Sequence, residues 1–518
     1  MSLPATILLL NLFKRPLQSL TLCFCAGALA ALSMAPLNGW PVLFISLPIL
    51  YGALVFAPTG KRAFGLGWLF GFGYFAFSLS WIGNALLVEG NPYKWAWPLA
   101  VSGLPALLAF FPAFAALASQ KIFDLRSVSG WLGFVSIYCG FEWLRGHIFT
   151  GFPWNLFGYT WADYLPVLQV LWLSDVYALT WLTILWASAL GAAVFLPATQ
   201  RAWPIVIALI SFAGCYGYGL AVLPDTLDFN KDVRVRIVQP DIDQAEKWQP
   251  DKMAAHFRKH LQLSENTNGY DLPTIIVWPE TALSYRLLEE PAAMAELKEM
   301  LAAHPKNSVL LTGLLRRDLN DDSYGNSLVM VDRSGTVSNT YDKRHLVPFG
   351  EYIPFQRWIP LAPIVQFKGF KAGSGAQTFT TPSGHTYSPL ICYEIIFPGG
   401  SIAHDFTPDF IVNVTNDAWY GLSAGPYQHL TQALFRAVET GVPVVRAANT
   451  GFSVLISPYG HVEAQSNLFE TNRIDIQLPS KRLSQKYAIT LRTPLTLLFL
   501  LFFISLGIYG GQKFSKKG

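Results

Sequence analysis

Long, nearly uncharged runs dominate residues 1–224, and they constrain this chain more than any other feature. A helix of roughly 20 apolar residues crosses the hydrocarbon core of a bilayer with its backbone groups satisfied internally. Seven such stretches fall near 18–36, 40–58, 64–87, 97–119, 128–145, 165–197 and 203–223, and an eighth near 490–511. The stretch 165–197 is longer than one span needs, which predicts a tilt or an interfacial turn at its start. Residues 146–164, aromatic and broken by Pro and Gly, read as an interfacial loop. Residues 225–489 have the composition of a soluble α/β domain. The expected organisation is a helical membrane domain over 1–224, a soluble domain over 225–489, and an anchor with a short tail over 490–518.

Only 14% of residues are charged, where a soluble globular chain carries roughly 25%. This excludes disorder, a collagen-like fibre and an ordinary cytosolic protein. A net charge of +4 is too small for a nucleic-acid partner. Lys and Arg alternate between loops: Lys14, Arg15, Lys61, Arg62, Lys121, Arg126, Arg201, Lys513, Lys516 and Lys517 stand on one side, against Lys94 and Arg145 on the other. Positive charge stays on the cytoplasmic side. Both termini are therefore expected in the cytoplasm and 225–489 on the opposite face. A cleaved signal peptide over 1–36 is the competing reading; the spans that follow argue against it.

The soluble part alternates strand and helix patterns. Strands are predicted at 233–240, 274–280, 308–315, 326–332, 387–394, 409–417, 442–451 and 453–460, with helices near 250–266, 291–304 and 426–440. Many β-branched strands interleaved with helices predict a layered α/β domain.

Cys23, Cys25, Cys139 and Cys215 fall inside predicted spans, where cysteine is a packing residue. Cys392, in ICYE at a strand end, is alone in the soluble domain and has no disulfide partner there, which makes it a candidate nucleophile. A thiol needs a base to take its proton and a donor to hold an oxyanion. Glu280 closes the buried strand TIIVWPE, and Lys343 sits in YDKRHLVPFGEYIP, an unusual mixture of charge, Phe and Pro for a surface loop. Each alone reads more readily as part of a structural turn with a salt bridge. The order Glu, Lys, Cys in these contexts is far more specific.

That order resembles the nitrilase superfamily, whose Glu, Lys and Cys signatures WPE, KRHLVPFGE and ICYE look like. Over nearly its full length the chain resembles the membrane-bound branch, the apolipoprotein N-acyltransferases; TGFPW (150–154), EKW (246–248), TNDAW (415–419) and GPYQH (425–429) support this. The resemblance implies about eight transmembrane helices joined to an αββα sandwich over 230–485. It implies transfer of a fatty acyl chain from a membrane glycerophospholipid, through a thioester, to the N-terminal amine of a diacylglyceryl-cysteine lipoprotein. Glu280 would be the general base, Cys392 the nucleophile and Lys343 the oxyanion donor. Glu351 would orient Lys343 or relay a proton, and Tyr393 and Glu394 would shape the site. No cofactor is expected: the chain has no Walker loop, no GxGxxG after a strand, and no metal-ligand spacing around His345, His404 or His429. The implied location is the bacterial inner membrane, with the catalytic domain periplasmic and the protein a monomer.

Lipid tails resist leaving the bilayer, at roughly 0.8 kcal/mol per CH₂, so the site should open near the outer leaflet. The apolar, basic segment 355–373 reads as a lid or as a loop packed on the domain. Trp248, Trp419 and Tyr420 are candidates for lining the acyl path, against ordinary core packing. Glu142, Arg145 and Asp175 are costly inside spans. With Trp154 of TGFPW they would seat the lipid headgroup or form a structural pair. Two other classes stay open at this point: a membrane-tethered nitrilase-type amidase, and a transporter or receptor with a sensor domain.

Overall fold

The computed structural model describes residues 12–482, apart from 90, 267–268, 284–289, 318–322, 355–369 and 404–405, together with 504–505. All but two residues of the expected eighth span, the cytoplasmic tail, most of the 355–373 segment and His404 lie outside the described residues.

The N-terminal half is helical: α1 (Pro16–Ala30), α2 (Leu43–Val55), α3 (Gly60–Ser78), α4 (Trp97–Leu108), α5 (Phe110–Ile122), α6 (Val128–His147), α7 (Val176–Phe195) and α8 (Ala202–Val222). Every predicted stretch in this half contains a helix. Among the described residues, four helices are long and apolar enough to cross a membrane, over Pro16–Ser33, Lys94–Ile122, Val176–Phe195 and Ala202–Val222. A fifth span is present if Gly60–Ser78 and Ser80–Leu87, bent by 56°, count as one. The expectation of eight is thus supported only in part. The apolar helix around α2 ends at Val55 after 16 residues or fewer. Helix α6 carries Glu142, Arg145 and His147 in its last two turns. The long stretch 165–197 is broken: short helical turns cover Leu165–Trp172, and Asp175 then caps α7, its Oδ1 accepting from Tyr177 N at 2.9 Å and Ala178 N at 3.0 Å. An N-cap carboxylate satisfies donors that a helix start leaves open.

The C-terminal half is two six-stranded sheets. The first has the order β12-β1-β2-β3-β4-β5, with β1 (Phe229–Gln239), β2 (Thr274–Val277), β3 (Val309–Arg317), β4 (Tyr324–Asp332), β5 (Val337–Asp342) and β12 (Asn472–Pro479). The second has the order β11-β10-β9-β8-β7-β6, with β6 (Phe379–Thr380), β7 (Thr386–Ile391), β8 (Phe410–Thr415), β9 (Val444–Ala448), β10 (Val454–Ile456) and β11 (Val462–Gln465). In both, three parallel strands sit beside antiparallel ones. Side chains alternate between sheet faces, so each central strand feeds two cores. Val235, Ile237, Ile275, Val277 and Leu311 meet Ile391, Val412, Val414 and Val445 between the sheets. From alternate positions, Val238, Ile276 and Leu310 face α9 (Pro250–Ser264) and α10 (Pro291–Ala302). Leu390, Ile411 and Val444 face α11 (Gly425–Thr440). Layers therefore run helix, sheet, sheet, helix.

The outer face of α11 is not in water. Phe435, Ala437 and Val438 share one apolar cluster with Tyr74, Trp154, Phe157 and Leu179 of the helical half. The 146–164 loop lies inside this junction, with Trp154 and Trp161 almost wholly buried. The two halves are joined by a packed core that excludes water.

Candidate active site

Glu280 follows β2. Trp278 N still bonds Leu311 O of β3 at 2.9 Å, and Pro279 then turns the chain. Gly313 of β3 allows that corner, because a Cβ there would lie 2.5 Å from Pro279 O and 2.6 Å from Glu280 Cα. Lys343 follows β5; its N–H donates to Asn326 O at 2.8 Å and its carbonyl accepts from Gly373 N at 2.9 Å. Two antiparallel neighbours thus bring Asn326 and Lys343 beside Glu280.

The three side chains and Glu351 form one buried cluster. Lys343 Nζ lies 2.9 Å from Glu351 Oε1 and 3.5 Å from Glu280 Oε1. Asn326 Nδ2 donates to Glu280 Oε1 at 2.7 Å and to Glu351 Oε1 at 3.1 Å. Glu351 Oε2 accepts from Val347 N at 2.8 Å. Burial disfavours the Lys343 ammonium, but Glu351 and Glu280 together hold its pKa above the ordinary lysine value. The cation is permanent at neutral pH.

Cys392 follows β7 on a one-turn helix, Cys392–Ile396, with a left-handed φ of 51°. A non-glycine residue in that region stores about 1–3 kcal/mol of strain. Its neighbours hold it there: Glu394 Oε2 accepts from Ile391 N at 2.7 Å, and His429 Nε2 lies 3.2 Å from Cys392 O. Burial pushes the Cys392 thiol up to about 12, Glu280 adds to the rise, and Lys343 opposes it. The thiol is neutral at rest, and Glu280 and Lys343 lie within its electrostatic reach.

Glu394 is wholly enclosed. Its Oε1 accepts from Tyr341 OH at 2.8 Å, Arg344 N at 2.8 Å and His345 N at 3.2 Å. It therefore pins the Lys343 loop to the Cys392 turn. Tyr393 points the other way and donates to Gly151 O of the 146–164 loop at 3.3 Å. Trp248 lines an outer cleft with Glu280, Thr281 and Asn449. Trp419 lies half-buried in the turn Asp417–Tyr420.

Arg145 and Trp154 stand apart from the carboxylate cluster, in the junction between the halves. Arg145 lies 2.5 Å from Glu142 and donates to Phe152 O at 2.6 Å and Trp154 O at 2.8 Å, with Phe75 under its guanidinium. Trp154 Nε1 donates to Gln428 at 2.8 Å.

Sequence reasoning missed two members of the site. Asn326 sits inside a run that reads only as a strand. Lys247, noted only as part of EKW, donates to Glu280 O at 3.1 Å and Thr281 Oγ1 at 2.8 Å; burial lowers its pKa to about 8, against the pull of Glu280. Among the described residues no group of three His, Cys, Asp or Glu side chains is placed to hold a metal.

A buried thiol on a strained strand end, with a carboxylate and a permanent cation near it, is suited to attack on a carbonyl through a covalent intermediate. The fold around it matches the carbon-nitrogen hydrolase family over residues 234–486, and this half of the chain is a nitrilase-like sandwich of that class. The helical half matches the apolipoprotein N-acyltransferase N-terminal domain over residues 26–189. Apolipoprotein N-acyltransferase of Brucella melitensis is 40% identical over 503 residues, covering 93% of this chain and 92% of its own length. That of Rhodopseudomonas palustris is 38% identical over 485 residues, 88% of each chain, and that of Agrobacterium fabrum 39% identical over 470 residues, 86% of each. The chain belongs to the apolipoprotein N-acyltransferase family, membrane acyltransferases of the carbon-nitrogen hydrolase superfamily.

Proposed function

We propose that the enzyme moves a fatty acyl chain from a membrane glycerophospholipid to the N-terminal amine of a diacylglyceryl-cysteine lipoprotein, with Cys392 carrying the acyl group between them. The observation that carries this reading is the Lys343 ammonium held between Glu280 and Glu351, within electrostatic reach of a neutral buried thiol.

In the first half-reaction Glu280 takes the thiol proton as Cys392 Sγ attacks the ester carbonyl. Lys343 stabilises the tetrahedral oxyanion, a contribution of roughly 3–4 kcal/mol for one well-placed donor. The C–O bond then breaks, the proton passes from Glu280 to the departing alcohol oxygen, and a thioester and a lysophospholipid result. In the second, the acceptor amine attacks the thioester and gives its proton to Glu280. The C–S bond breaks and the thiolate regains the proton. Trp248, Trp419, Arg145 and Trp154 are proposed to serve the substrates at the rim of this chemistry, directly or by holding the junction.

The proposed topology places 1–224 and 490–518 in the inner membrane as eight spans, with both termini cytoplasmic and 225–489 periplasmic. The alternation of Lys and Arg between loops supports it, as does the apolar core that joins α11 to the spans. A monomer suffices for the chemistry.

The test is a product assay on the purified enzyme in bilayers, with labelled phospholipid and a diacylglyceryl-cysteine peptide. The reading predicts N-acyl peptide and lysophospholipid in equal amounts, and no transfer by Cys392→Ala. Free fatty acid as the main labelled product would make the protein a hydrolase instead.

A further inference from the structure

The Cys392 carbonyl, the residue's strained backbone and the membrane helices are connected through two adjacent side chains of α11. His429 Nε2 faces Cys392 O at 3.2 Å. A carbonyl only accepts, so Nε2 carries the hydrogen. On the other edge of the ring, Nδ1 lies 2.9 Å from Asp417 Oδ1 and 3.0 Å from an Arg446 nitrogen. Arg446 also bonds Asp417 Oδ2 at 2.8 Å, and Thr415 donates to Asp417 Oδ1 at 2.9 Å. The imidazole is thus fixed from behind and aimed at the nucleophile's backbone, not at its sulfur.

Gln428, one residue earlier, faces the helical half, and its amide is fully used there. Its Oε1 accepts from Trp81 Nε1 at 2.9 Å and Trp154 Nε1 at 2.8 Å. Its Nε2 donates to Ser78 O at 3.1 Å and Ala35 O at 3.3 Å. Those four partners come from three separate segments, so the amide finds all of them only when the segments are assembled. The Trp154 ring also packs on His429 at 5.5 Å. A buried amide that loses such partners leaves several polar groups unsatisfied at once.

We infer that Gln428 and His429 form a positioning pair through which the assembled membrane helices hold the Cys392 backbone in its reactive conformation. The pair touches no reacting atom. It acts through the Cys392 carbonyl, which makes the helical half a structural requirement of the nucleophile as well as a route for lipid. This rests on Cys392 being the nucleophile.

The test uses the full-length enzyme in bilayers, with steady-state kinetics and melting temperature for each variant. His429→Leu is expected to lower kcat about 100-fold with KM for the donor little changed, the scale of a small misplacement of a reacting group. His429→Gln, which restores an N–H toward the carbonyl, is expected to recover about tenfold of that loss. Gln428→Leu is expected to lower kcat about tenfold, and the double variant Gln428→Leu/His429→Leu to be no slower than His429→Leu alone, because the two act in series. Gln169→Ala removes a different bond between the halves, to Tyr459 O at 3.0 Å; it is expected to lower the melting temperature while leaving kcat within about twofold. Full activity in His429→Leu, a Gln variant no better than Leu, additive losses in the double variant, or an equal kcat loss in Gln169→Ala would each overturn the inference. Transfer retained by Cys392→Ala would instead sink the assignment of the nucleophile on which the inference stands.

Discussion

Glu351 Oε1 lies 2.9 Å from Lys343 Nζ, closer than Glu280 comes to the same ammonium at 3.5 Å. The stronger ion pair of the cluster is therefore made by the carboxylate that has no assigned proton transfer. Glu351 anchors Lys343 and leaves Glu280 less tightly held, which is what a base that must accept a proton needs.

Glu351→Gln keeps the shape of the side chain and removes its charge. Lys343 then has Glu280 as its one carboxylate partner in the cluster, and the ammonium is no longer held in place from the Glu351 side. The expected result is a fall in kcat of about 10- to 100-fold, at or below the low end of the usual contribution of general acid–base catalysis because Glu280 itself remains, with KM little altered. Single-turnover formation of the acyl-enzyme measures it, and an unchanged rate would separate Glu351 from the chemistry.

Lys343→Met should be more severe. It removes the oxyanion donor and the cation that bridges Glu280 and Glu351. A loss of about 100- to 1,000-fold in kcat is expected. Lys343→Arg should not restore the rate, because the planar guanidinium cannot take the place of a compact ammonium between two carboxylates and Asn326. Rates for both variants relative to the parent decide this.

The pH dependence of Cys392 alkylation follows from its raised pKa. With the thiol at about 12, the thiolate is scarce at neutral pH. Below that value its fraction grows about tenfold per pH unit. The rate of Cys392 alkylation by iodoacetamide should climb from pH 7 to pH 10 without levelling. Lys343 opposes the rise in pKa, so Lys343→Met should react more slowly at every pH in that range. Mass spectrometry of the Cys392 peptide follows it. A plateau near pH 7 would mean a preformed thiolate and a different activation.

Arg145→Ala tests the junction. Arg145 is 1% exposed, and its removal strands Glu142 and the carbonyls of Phe152 and Trp154. Breaking a buried pair from one side costs about 3–5 kcal/mol, so the variant should melt well below the parent in the same detergent. A variant of normal stability and raised KM for phospholipid would instead favour a headgroup-binding role.

The central strands were legible in the sequence because buried parallel strands are continuous β-branched runs, and Glu280 and Cys392 follow the ends of two of them; Lys343, after the edge strand β5, was legible only from the unusual mixture of residues around it. Edge strands were not. Val337–Asp342 is mostly polar with a single buried residue, and Val462–Gln465 has no buried residue, so neither shows a one-sided pattern. Asn326 was hidden for another reason. Its role depends on the pairing of β4 with β5, which brings Asp342 opposite Ser327 and Lys343 beside the amide. No local pattern encodes that register. Apolar length located helices α1 to α8, and the excess length of 165–197 pointed to the turn that precedes α7, but hydropathy alone could not foresee that the aromatic 146–164 loop folds inward. Gln428 and His429 were visible only as part of a motif. Adjacent residues on a helix point about 100° apart, and only the packed halves reveal that one faces the membrane helices and the other the nucleophile.

The most direct test of the account is a mass spectrum of the Cys392 peptide after the enzyme has met phospholipid without an acceptor. The account predicts a fatty-acyl mass on Cys392, discharged on adding a diacylglyceryl-cysteine peptide and absent from Glu280→Gln. An unmodified Cys392 in an enzyme that still acylates its acceptor would contradict it.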